Sequence, residues 1–280
     1  MNKEAYEEIN AWAVKKANIL KNNPLQYIVK AMLASFFIGF GVMLSFKLAE
    51  PFFDAGSPAT PLMLGAFFGI ALVLILYGGA ELFTGNTMYF TMSTMSGKTN
   101  WKESLSVLGA CYTGNLLGAL CFALFISAAG IYKDPANSQY LMDVVSHKMH
   151  YPASELFFKA ILCNWIVCLA VWIPMQMKGD MAKIVTMLLF VMTFVVAGFE
   201  HSIANMVLFS LALAVPHPEA VSVMSAVHNL IPVTAGNIIG GSVFVGMVYM
   251  YLAKPAEHAA SERAKERISV KLLHMSKSRR

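Results

Sequence analysis

Charged residues are scarce in this sequence. Asp, Glu, Lys and Arg make up 13% of its 280 residues, whereas apolar residues make up 57%, and the mean hydropathy is +0.59. The apolar residues are gathered in long blocks that short polar stretches separate. This pattern excludes an ordinary water-soluble domain and indicates an integral membrane protein.

Paired cysteines are also lacking. The four cysteines, Cys111, Cys121, Cys163 and Cys168, all fall inside apolar blocks, without a CxxC motif or a pair of loop cysteines. Their expected role is that of small buried apolar side chains. The sequence therefore predicts neither a disulfide framework nor a metal site, and no cofactor is expected.

Catalytic motifs are missing as well. Next to Glu200 and His201 there is no second histidine four residues on and no partnered aspartate, and the chain has no Gly-x-Ser-x-Gly elbow. An enzyme is therefore not expected. Paired Asn-Pro-Ala motifs are absent too. Their absence disfavours a water or glycerol channel, which stays open as an alternative.

Six apolar blocks are long enough to span a bilayer, which takes about 20 helical residues. They cover approximately residues 26–48, 62–95, 104–131, 155–177, 184–215 and 226–253. The second and fifth blocks are too long for one straight span. The predicted fold class is an all-α membrane protein with six transmembrane helices, of which helices 2 and 5 are broken.

The placement of basic residues predicts the orientation, because positive charges in short loops stay on the cytoplasmic side. In a six-span arrangement, one side receives Lys3, Lys15, Lys16, Lys21, Lys98, Lys102, Lys178, Lys183 and eight basic residues after Tyr251. Both termini are therefore predicted to be cytoplasmic in a multi-pass protein of the plasma membrane. These basic residues flank the predicted spans, and they are not accompanied by aromatic side chains that would form a nucleic-acid-binding surface. Nucleic-acid binding is therefore not expected.

The chain divides into four predicted segments. Residues 1–24 form a cytoplasmic amphipathic helix, because apolar residues recur at helical spacing in a stretch too polar to span. The membrane surface and a neighbouring subunit are both open as its binding partner. Residues 25–132 and 133–253 are two three-helix repeats, the second with an outer loop, and residues 254–280 are a cytoplasmic tail.

The two three-helix segments share sequence at equivalent spans. The matches are "KAML" at 30–33 with "KAIL" at 159–162, Glu81 and Asn86 with Glu200 and Asn205, and "TGNLLG" at 113–118 with "AGNIIG" at 235–240. An odd number of spans per copy makes the copies enter the membrane from opposite sides. This is the inverted-repeat plan of many transporters and channels, in which the path lies between the copies.

Glycines and polar residues interrupt spans 2 and 5 at equivalent places, in "LILYGGAELFTGNTM" (74–88) and "VVAGFEHSIANM" (195–206). Such breaks are tolerated at membrane depth only where protein encloses the backbone. Glu81 and Glu200 are predicted to cap the second helix of each span by accepting its free backbone N–H groups.

His201 is the candidate pore residue, because the aligned position of the first copy is Leu82 and a residue unique to one copy suits function better than scaffolding. A histidine can donate a hydrogen bond to an anion or exchange a proton near neutral pH. Thr84 offers a hydroxyl at the other break. Asn115 and Asn237 are expected to brace the two breaks.

Apolar and basic residues near the breaks complete the set of candidates. Phe67, Phe68, Leu72 and Phe194 are expected to wall a constriction that excludes hydrated ions, with ordinary core or lipid-facing packing as the alternative. Lys148, predicted as an isolated charge on the outer side, either attracts anions or is a plain loop lysine. Lys16, on the N-terminal helix, is a candidate for coupling cytoplasmic conditions to the first break.

Four stretches, "GAELFTGNTM", "FFKAILCNWIVCLA", "GFEHSIANM" and "TAGNIIGG", together resemble the formate/nitrite transporter family, from Asn23 to about Tyr251. Within that family the sequence is most similar to the hydrosulfide-channel and nitrite-channel branches. The resemblance implies an aquaporin-like protomer with its own pore and a homopentamer in the bilayer. It also implies transport of small monovalent anions of weak acids, with hydrosulfide first, nitrite or formate as alternatives, and proton linkage through the central histidine.

The resemblance also assigns residues to the path, motif by motif. Leu82 matches the family's cytoplasmic constriction residue, with Phe83 beside it, Thr84 matches the polar residue that faces the central histidine, and His201 matches that histidine. The outer constriction of the family matches Phe68, Leu72 and Phe194. The pore-supporting asparagines match Asn164 and Asn237, and the outer lysine matches Lys148. Gly85 and Asn86 stand where formate members tend to have serines. This departure disfavours formate as the chief substrate.

Overall fold

The computed structural model describes residues 3–252, and every regular element within them is helical. The α-helices are α1 (Lys3–Asn22), α2 (Pro24–Asp54), α3 (Thr60–Ala66), α4 (Ile70–Tyr77), α5 (Phe83–Met95), α6 (Trp101–Ala128), α7 (Gln139–His150), α8 (Ala153–Met175), α9 (Asp180–Val196), α10 (Ser202–Leu213) and α11 (Val223–Ile239). A 3-10 turn (Pro135–Ser138) precedes α7, and a π-helical segment (Gly240–Met247) continues α11. The predicted tail, residues 254–280, lies outside the described residues.

Five helical stretches among the described residues are long and apolar enough to cross a membrane: Pro24–Asp54, Thr60–Tyr77, Trp101–Ala128, Ala153–Met175 and Val223–Leu252. The helix α9, with 17 residues, and the apolar helix α10, with 12, are shorter pieces. The protein is thus built from several membrane-length apolar helices, together with shorter apolar helices at the places where the sequence predicts breaks.

Two non-helical stretches lie where the sequence predicts interruptions, between α4 and α5 at 78–82 and between α9 and α10 at 197–201. The second residue of each is a glycine in the left-handed region, Gly79 with φ 68° and Gly198 with φ 67°. That conformation is costly for residues with a Cβ, so glycine sets the direction in which the chain leaves each helix.

A further interruption, at 67–69 between α3 and α4, was not predicted. It lies where α9 packs closely, because a Cβ at Gly69 would lie 2.7 Å from the Cα atom of Leu188. Close contact between two backbones, which the local sequence does not reveal, accompanies this irregular turn.

The N-terminal helix α1 packs its apolar face on the bundle of its own chain. Its apolar residues Ala5, Ile9 and Ala13 are at most 1% exposed. Trp12 packs edge-to-face on Tyr89 of α5, with ring centroids 5.8 Å apart. The apolar surface that α1 covers belongs to α5, the second half of a broken span, and contact of α1 with the membrane surface or a neighbouring subunit stays a prediction.

The helices α1 and α7 lie at opposite ends of α2. Near the start of α2, Lys30 donates a hydrogen bond to the carbonyl of Gly79, beside the α1 contacts. Near its end, Phe46 and Phe53 pack on Tyr140 of α7, with ring centroids 5.3 and 4.6 Å apart. The bundle thus has an α1 end and an α7 end, and the two breaks lie between them.

Candidate functional site

Asn115 holds the break between α4 and α5. Its Oδ1 accepts a hydrogen bond from the backbone N–H of Phe83 at 3.0 Å. Its Nδ2 donates to the carbonyls of Ala31 at 2.7 Å and Glu81 at 2.9 Å. One fully buried amide from α6 therefore satisfies two backbone groups at the interruption, the Phe83 N–H and the Glu81 carbonyl, and ties them to the carbonyl of Ala31 in the continuous helix α2.

Asn237 does the same at the break between α9 and α10. Its Oδ1 accepts from the backbone N–H of Ser202 at 2.8 Å, and its Nδ2 donates to the carbonyls of Ala160 at 2.8 Å and Glu200 at 2.9 Å. The two halves of the chain therefore repeat one bonding pattern atom for atom. Bracing by both asparagines, predicted from the sequence, is what these contacts provide.

The capping role predicted for Glu81 and Glu200 is wrong. Among the contacts of residues 3–252, the Glu81 carboxylate accepts from Lys16, Tyr27 and Asn86, all through side-chain atoms. The backbone N–H at the start of α5 is bonded to the Asn115 amide instead. The Glu81 carboxylate, two residues before α5, is held by a lysine of α1, a tyrosine of α2 and an asparagine within α5, because these donors compensate its charge.

Lys148 is not the isolated charge that the sequence predicts. Its Nζ lies 2.7 Å from Oε1 of Glu200, whose side chain is fully buried, and Asn205 donates to Oε2 of the same carboxylate at 2.6 Å. Lys16 pairs with Glu81 in the corresponding way at the other break. The first copy uses a lysine from α1 and the second a lysine from α7, so each end helix is tied to one break.

His201 lies at the N-terminus of α10 with both ring nitrogens engaged. Its Nδ1 accepts a hydrogen bond from the backbone N–H of Ala204 at 3.0 Å, and its Nε2 lies 2.9 Å from Oγ1 of Thr84. Because Nδ1 accepts, the proton of the neutral ring is on Nε2, which donates to the threonine hydroxyl. Protonating Nδ1 would remove the acceptor of the Ala204 N–H, so this geometry holds His201 as a neutral donor.

Three cavities lie along the bundle, of which the first two share wall residues and the third shares none with the second. The first, of about 370 Å³, includes Lys148, Glu200 and His201 in its wall. The second, of about 30 Å³, shares His201 with the first and is otherwise lined by apolar side chains. The third, of about 210 Å³, lies against Trp12 of α1. A buried apolar passage therefore separates two wider cavities.

Aromatic rings form the boundary between the first two cavities. Phe68 and Phe194 line both, with ring centroids 6.1 Å apart, and the Phe194 ring stacks on His201 at 6.0 Å. Leu72 and Leu82 line the small cavity and are 5% and 7% exposed. Of the residues predicted as constriction walls, Phe68, Leu72 and Phe194 are thus brought together around His201, whereas Phe67 is 49% exposed and lines none of these cavities.

Four other predicted path residues lie outside the cavity walls, and one of them is Thr84, which contacts His201 without lining a cavity described here. Phe83 packs on Tyr112 with ring centroids 5.0 Å apart. Asn164 donates to the carbonyls of Thr84 and Asn237 at 3.2 and 2.6 Å. Neither these two side chains nor the Asn237 amide, with its three backbone contacts, is part of the cavity linings described above. They support the backbone around Thr84 and His201.

The sequence did not indicate several wall residues. Ile38, Ile75, Val167 and Val191 line the small cavity, and Tyr140, Asp143 and His147 line the large one. The sequence does not distinguish these aliphatic residues from ordinary core residues, because the wall of a path and a packed core contain the same types of side chain. His147 is adjacent in sequence to Lys148, a predicted path residue, and this adjacency could have indicated that His147 also lines the cavity.

Membrane-length apolar helices around an enclosed apolar passage, with polar groups at its middle, define a membrane transport protein. A family model described as "Formate/nitrite transporter" matches residues 3–251. The chain is 46% identical over 252 residues to the "Uncharacterized transporter YwcJ" of Bacillus subtilis (strain 168), covering 90% of this chain and 98% of that protein. It is 36% identical over 260 residues to the "Nitrite transporter NirC" of Escherichia coli (strain K12), covering 92% and 96%. The chain belongs to the formate/nitrite transporter family.

Solved structures agree with this assignment. An "FNT family ion channel" superposes with a TM-score of 0.84 at 36% identity, covering 90% of this chain and 100% of that one. A "Pentameric formate channel with formate bound" superposes with a TM-score of 0.70 at 29% identity, covering 81% and 96%. These relatives are channels and transporters, and none of those named here is an enzyme.

Proposed function

We propose that the chain conducts small monovalent anions of weak acids across the plasma membrane, with hydrosulfide as the first candidate substrate and nitrite and formate as alternatives. The observation that carries this proposal is the apolar passage around His201, a neutral hydrogen-bond donor between two wider cavities. An unhydrated charge is very costly in such a passage, whereas a small neutral acid is not.

The architecture in this proposal is a homopentamer of aquaporin-like protomers, each with its own path. Six crossings form two inverted three-helix repeats, and both termini and the α1 end are cytoplasmic. Three matched features support the inverted repeat: the asparagine braces at Asn115 and Asn237, the lysine–glutamate pairs, and the left-handed glycines at the two breaks. The pentameric relative supports the assembly.

In the proposed path, an anion enters the large cavity beside Lys148, crosses the boundary at the Phe68 and Phe194 rings as the neutral acid, and reaches His201, whose Nε2–H is bonded to Thr84. Leu72 and Leu82 form the remaining apolar barrier before the α1 end. Phe83, Asn164 and Asn237 keep the backbone in place, and Thr84 orients the His201 ring. The ion pairs keep Glu81 and Glu200 compensated, so neither carboxylate repels the anion as a bare charge.

Lys16 is proposed as a gating residue, because it joins α1 to the break next to Leu82. Its amine binds the Glu81 carboxylate, one residue before Leu82. A movement of α1 would therefore be transmitted to the inner barrier. If Lys16→Ser leaves the dependence of flux on cytoplasmic pH unchanged, this gating role is wrong.

The size of the small cavity favours hydrosulfide. A volume of about 30 Å³ suits a solute of about the size of one water molecule. Hydrogen sulfide is small and its first ionisation lies near neutral pH, so its neutral form is readily populated. Nitrous and formic acids are stronger acids, so a smaller fraction of nitrite and formate is in the neutral form near neutral pH. The nitrite and formate names of the relatives keep both as alternatives.

Flux into proteoliposomes tests the proposal. Purified protein should accelerate hydrosulfide entry above the leak of protein-free liposomes, measured at alkaline pH where the anion predominates, with nitrite and formate compared in parallel. Glycerol swelling, measured on the same preparation, should stay at the level of protein-free liposomes. Absence of flux for all three anions, or rapid glycerol swelling, contradicts the proposed function.

A further inference from the structure

The geometry at His201 raises the question of where a proton comes from. Both nitrogens of that ring are occupied, since Nδ1 accepts from Ala204 and Nε2 donates to Thr84. Its only proton sits in a hydrogen bond, and a second proton would break the contact with Ala204. If anions cross the apolar passage as neutral acids, as in the proposed function on which this inference rests, another group must protonate them earlier.

His147 is placed to do this. It lines the large cavity one residue before Lys148 in α7, and its side chain is 67% exposed. Its Nδ1 lies 2.8 Å from the backbone carbonyl of Asp143. A carbonyl only accepts, so Nδ1 carries a proton in both charge states. The second nitrogen, Nε2, has no hydrogen-bond partner among residues 3–252 and is the atom that gains and loses a proton.

The surroundings of His147 contain both signs of charge. The titratable or charged side chains that share its cavity wall are Tyr140, Asp143, Lys148, Tyr151, Glu200 and His201. The Asp143 carboxylate lies 3.6 Å from Nδ1 of His147, whereas Lys148 and Glu200 compensate each other. Elements packed on α7 add the Lys47–Glu50 pair of α2, Asp134 before the 3-10 turn, and His228 of α11. Asp143 is thus the charged group nearest to the His147 ring.

The two ends of the path differ in their proton donors. At the α7 end, His147, His150, His217 and His228 all lie in or beside the connections to α7 and α11. The cavity at the α1 end is lined by Glu8, Asp180 and Lys183, with no histidine among the described residues. Histidine is the side-chain type that exchanges protons near neutral pH. Only the α7 end therefore offers such a group within a cavity wall.

We propose that His147 is the proton-exchange residue of the outer entrance. In the large cavity, the Nε2–H bond of the imidazolium breaks and its proton forms the S–H or O–H bond of the neutral acid. The electron pair of the N–H bond stays on Nε2, which is then protonated again from water at the exposed edge of the cavity. The neutral acid goes on to the Phe68 and Phe194 boundary, and each anion enters with one proton from the outside.

Formate uptake into proteoliposomes containing the full chain tests this role. Formate stays almost wholly anionic through the range in which histidines titrate, so its uptake depends on a proton donor. External pH is lowered from about 7.5 to about 5.5 at constant internal pH, a range centred on ordinary histidine titration. The ratio of wild-type to His147→Gln uptake is expected to rise about three- to tenfold as external pH falls, because only the wild type gains the donor.

Two further variants separate proton transfer from other effects. His150→Gln is the matched control: His150 lies one turn later in α7, binds the Ser146 carbonyl through Nδ1 at 2.7 Å, and is not part of the cavity wall. It should keep the wild-type pH profile. His147→Arg keeps a positive charge but does not release its proton in this pH range. It should resemble His147→Gln.

The outcomes that overturn the proposal are distinct from a failure of the proposed function. If the wild type conducts and His147→Gln has an unchanged pH profile, His147 does not supply the proton. If His147→Arg equals or exceeds the wild type at every pH, the residue acts only by attracting anions. If the wild type conducts no formate, the same assay with nitrite decides, because nitrite is equally anionic in this range. No flux for either anion, or for hydrosulfide, counts against the proposed function itself.

Discussion

The Nε2 atom of His201 lies 2.9 Å from the hydroxyl oxygen of Thr84, and this contact joins the two interrupted segments across the path. Thr84 is in the first turn of α5 and His201 directly precedes α10, so each comes from one half of the chain. Because the Nδ1 atom is occupied by Ala204, the direction of the Thr84 hydrogen bond is fixed. The site therefore presents one oriented donor in an otherwise apolar passage.

Removing the Thr84 hydroxyl should destabilise this site. Thr84→Val keeps the shape but leaves the Nε2–H of His201 without its acceptor, at a cost of about 1–3 kcal/mol for a buried unsatisfied donor. A lower midpoint of thermal unfolding in detergent is the measurement. Thr84→Ser retains the hydroxyl and serves as the control. Equal midpoints for the valine and serine variants would show that the hydrogen bond contributes little.

Shortening Phe68 should relax the size selection of the path. Phe68→Ala opens the boundary between the large and the small cavity. The flux of acetate, which is one carbon larger than formate, should therefore increase relative to the flux of formate. The expected rise in the acetate-to-formate flux ratio is about tenfold, the lower end of what one methylene is worth to a closed pocket. Competitive uptake of the two labelled acids measures this ratio.

The neighbouring ring provides the control for that experiment. Phe67 is 49% exposed on the surface of the bundle and is not part of the cavity linings. Phe67→Ala should therefore leave the ratio unchanged. A similar increase in both variants would mean that general loosening of α3 and α4, rather than the boundary ring, admits acetate.

Breaking one lysine–glutamate pair should cost more than removing the whole pair. Lys16 and Glu81 side chains are 13% and 5% exposed, so Lys16→Met leaves a carboxylate uncompensated in a buried site. The expected loss is about 3–5 kcal/mol. Lys16→Met combined with Glu81→Gln should recover most of the thermal stability. Additive losses in this double-mutant cycle would mean that the two residues do not interact energetically.

The asparagine brace should be essential for the first break. Asn115→Ala leaves the buried N–H of Phe83 without its acceptor and leaves the Glu81 carbonyl with only the weak donor of the Cys111 thiol. The loss should be roughly 2 kcal/mol or more, since a buried unsatisfied group costs about 1–3 kcal/mol. Size-exclusion profiles after heating report the loss of folded protein. Asn18→Ala, at an exposed position of α1, should behave as wild type.

Several features of the site could be predicted from the sequence for a physical reason. The Gly-Asn pairs of the two copies marked Asn115 and Asn237, because a buried amide in an apolar helix needs partners that only a broken backbone supplies. His201 was singled out because the aligned residue is Leu82. Phe68, Leu72 and Phe194 followed from helical spacing next to the breaks and from the family resemblance.

The partners of the charged residues could not be predicted in the same way. Glu81 and Glu200 were expected to bind the nearest free N–H groups along the chain. Their actual partners, Lys16 and Lys148, lie 65 and 52 positions away and come from helices outside the spans. Sequence patterns report the cost of burying a carboxylate, but the group that compensates it depends on which helices pack together.

The sequence by itself determined the membrane class, the positions of the two paired interruptions and the candidate residues beside them. Hydrophobic length and the cost of exposed backbone at membrane depth are local constraints that composition and spacing record. Only the tertiary structure decided that α1 packs on its own chain, that Lys148 is paired, and that Thr84 meets His201. Those outcomes depend on contacts between distant segments, because the folded bundle, rather than any single stretch of chain, determines which partner satisfies each buried polar group.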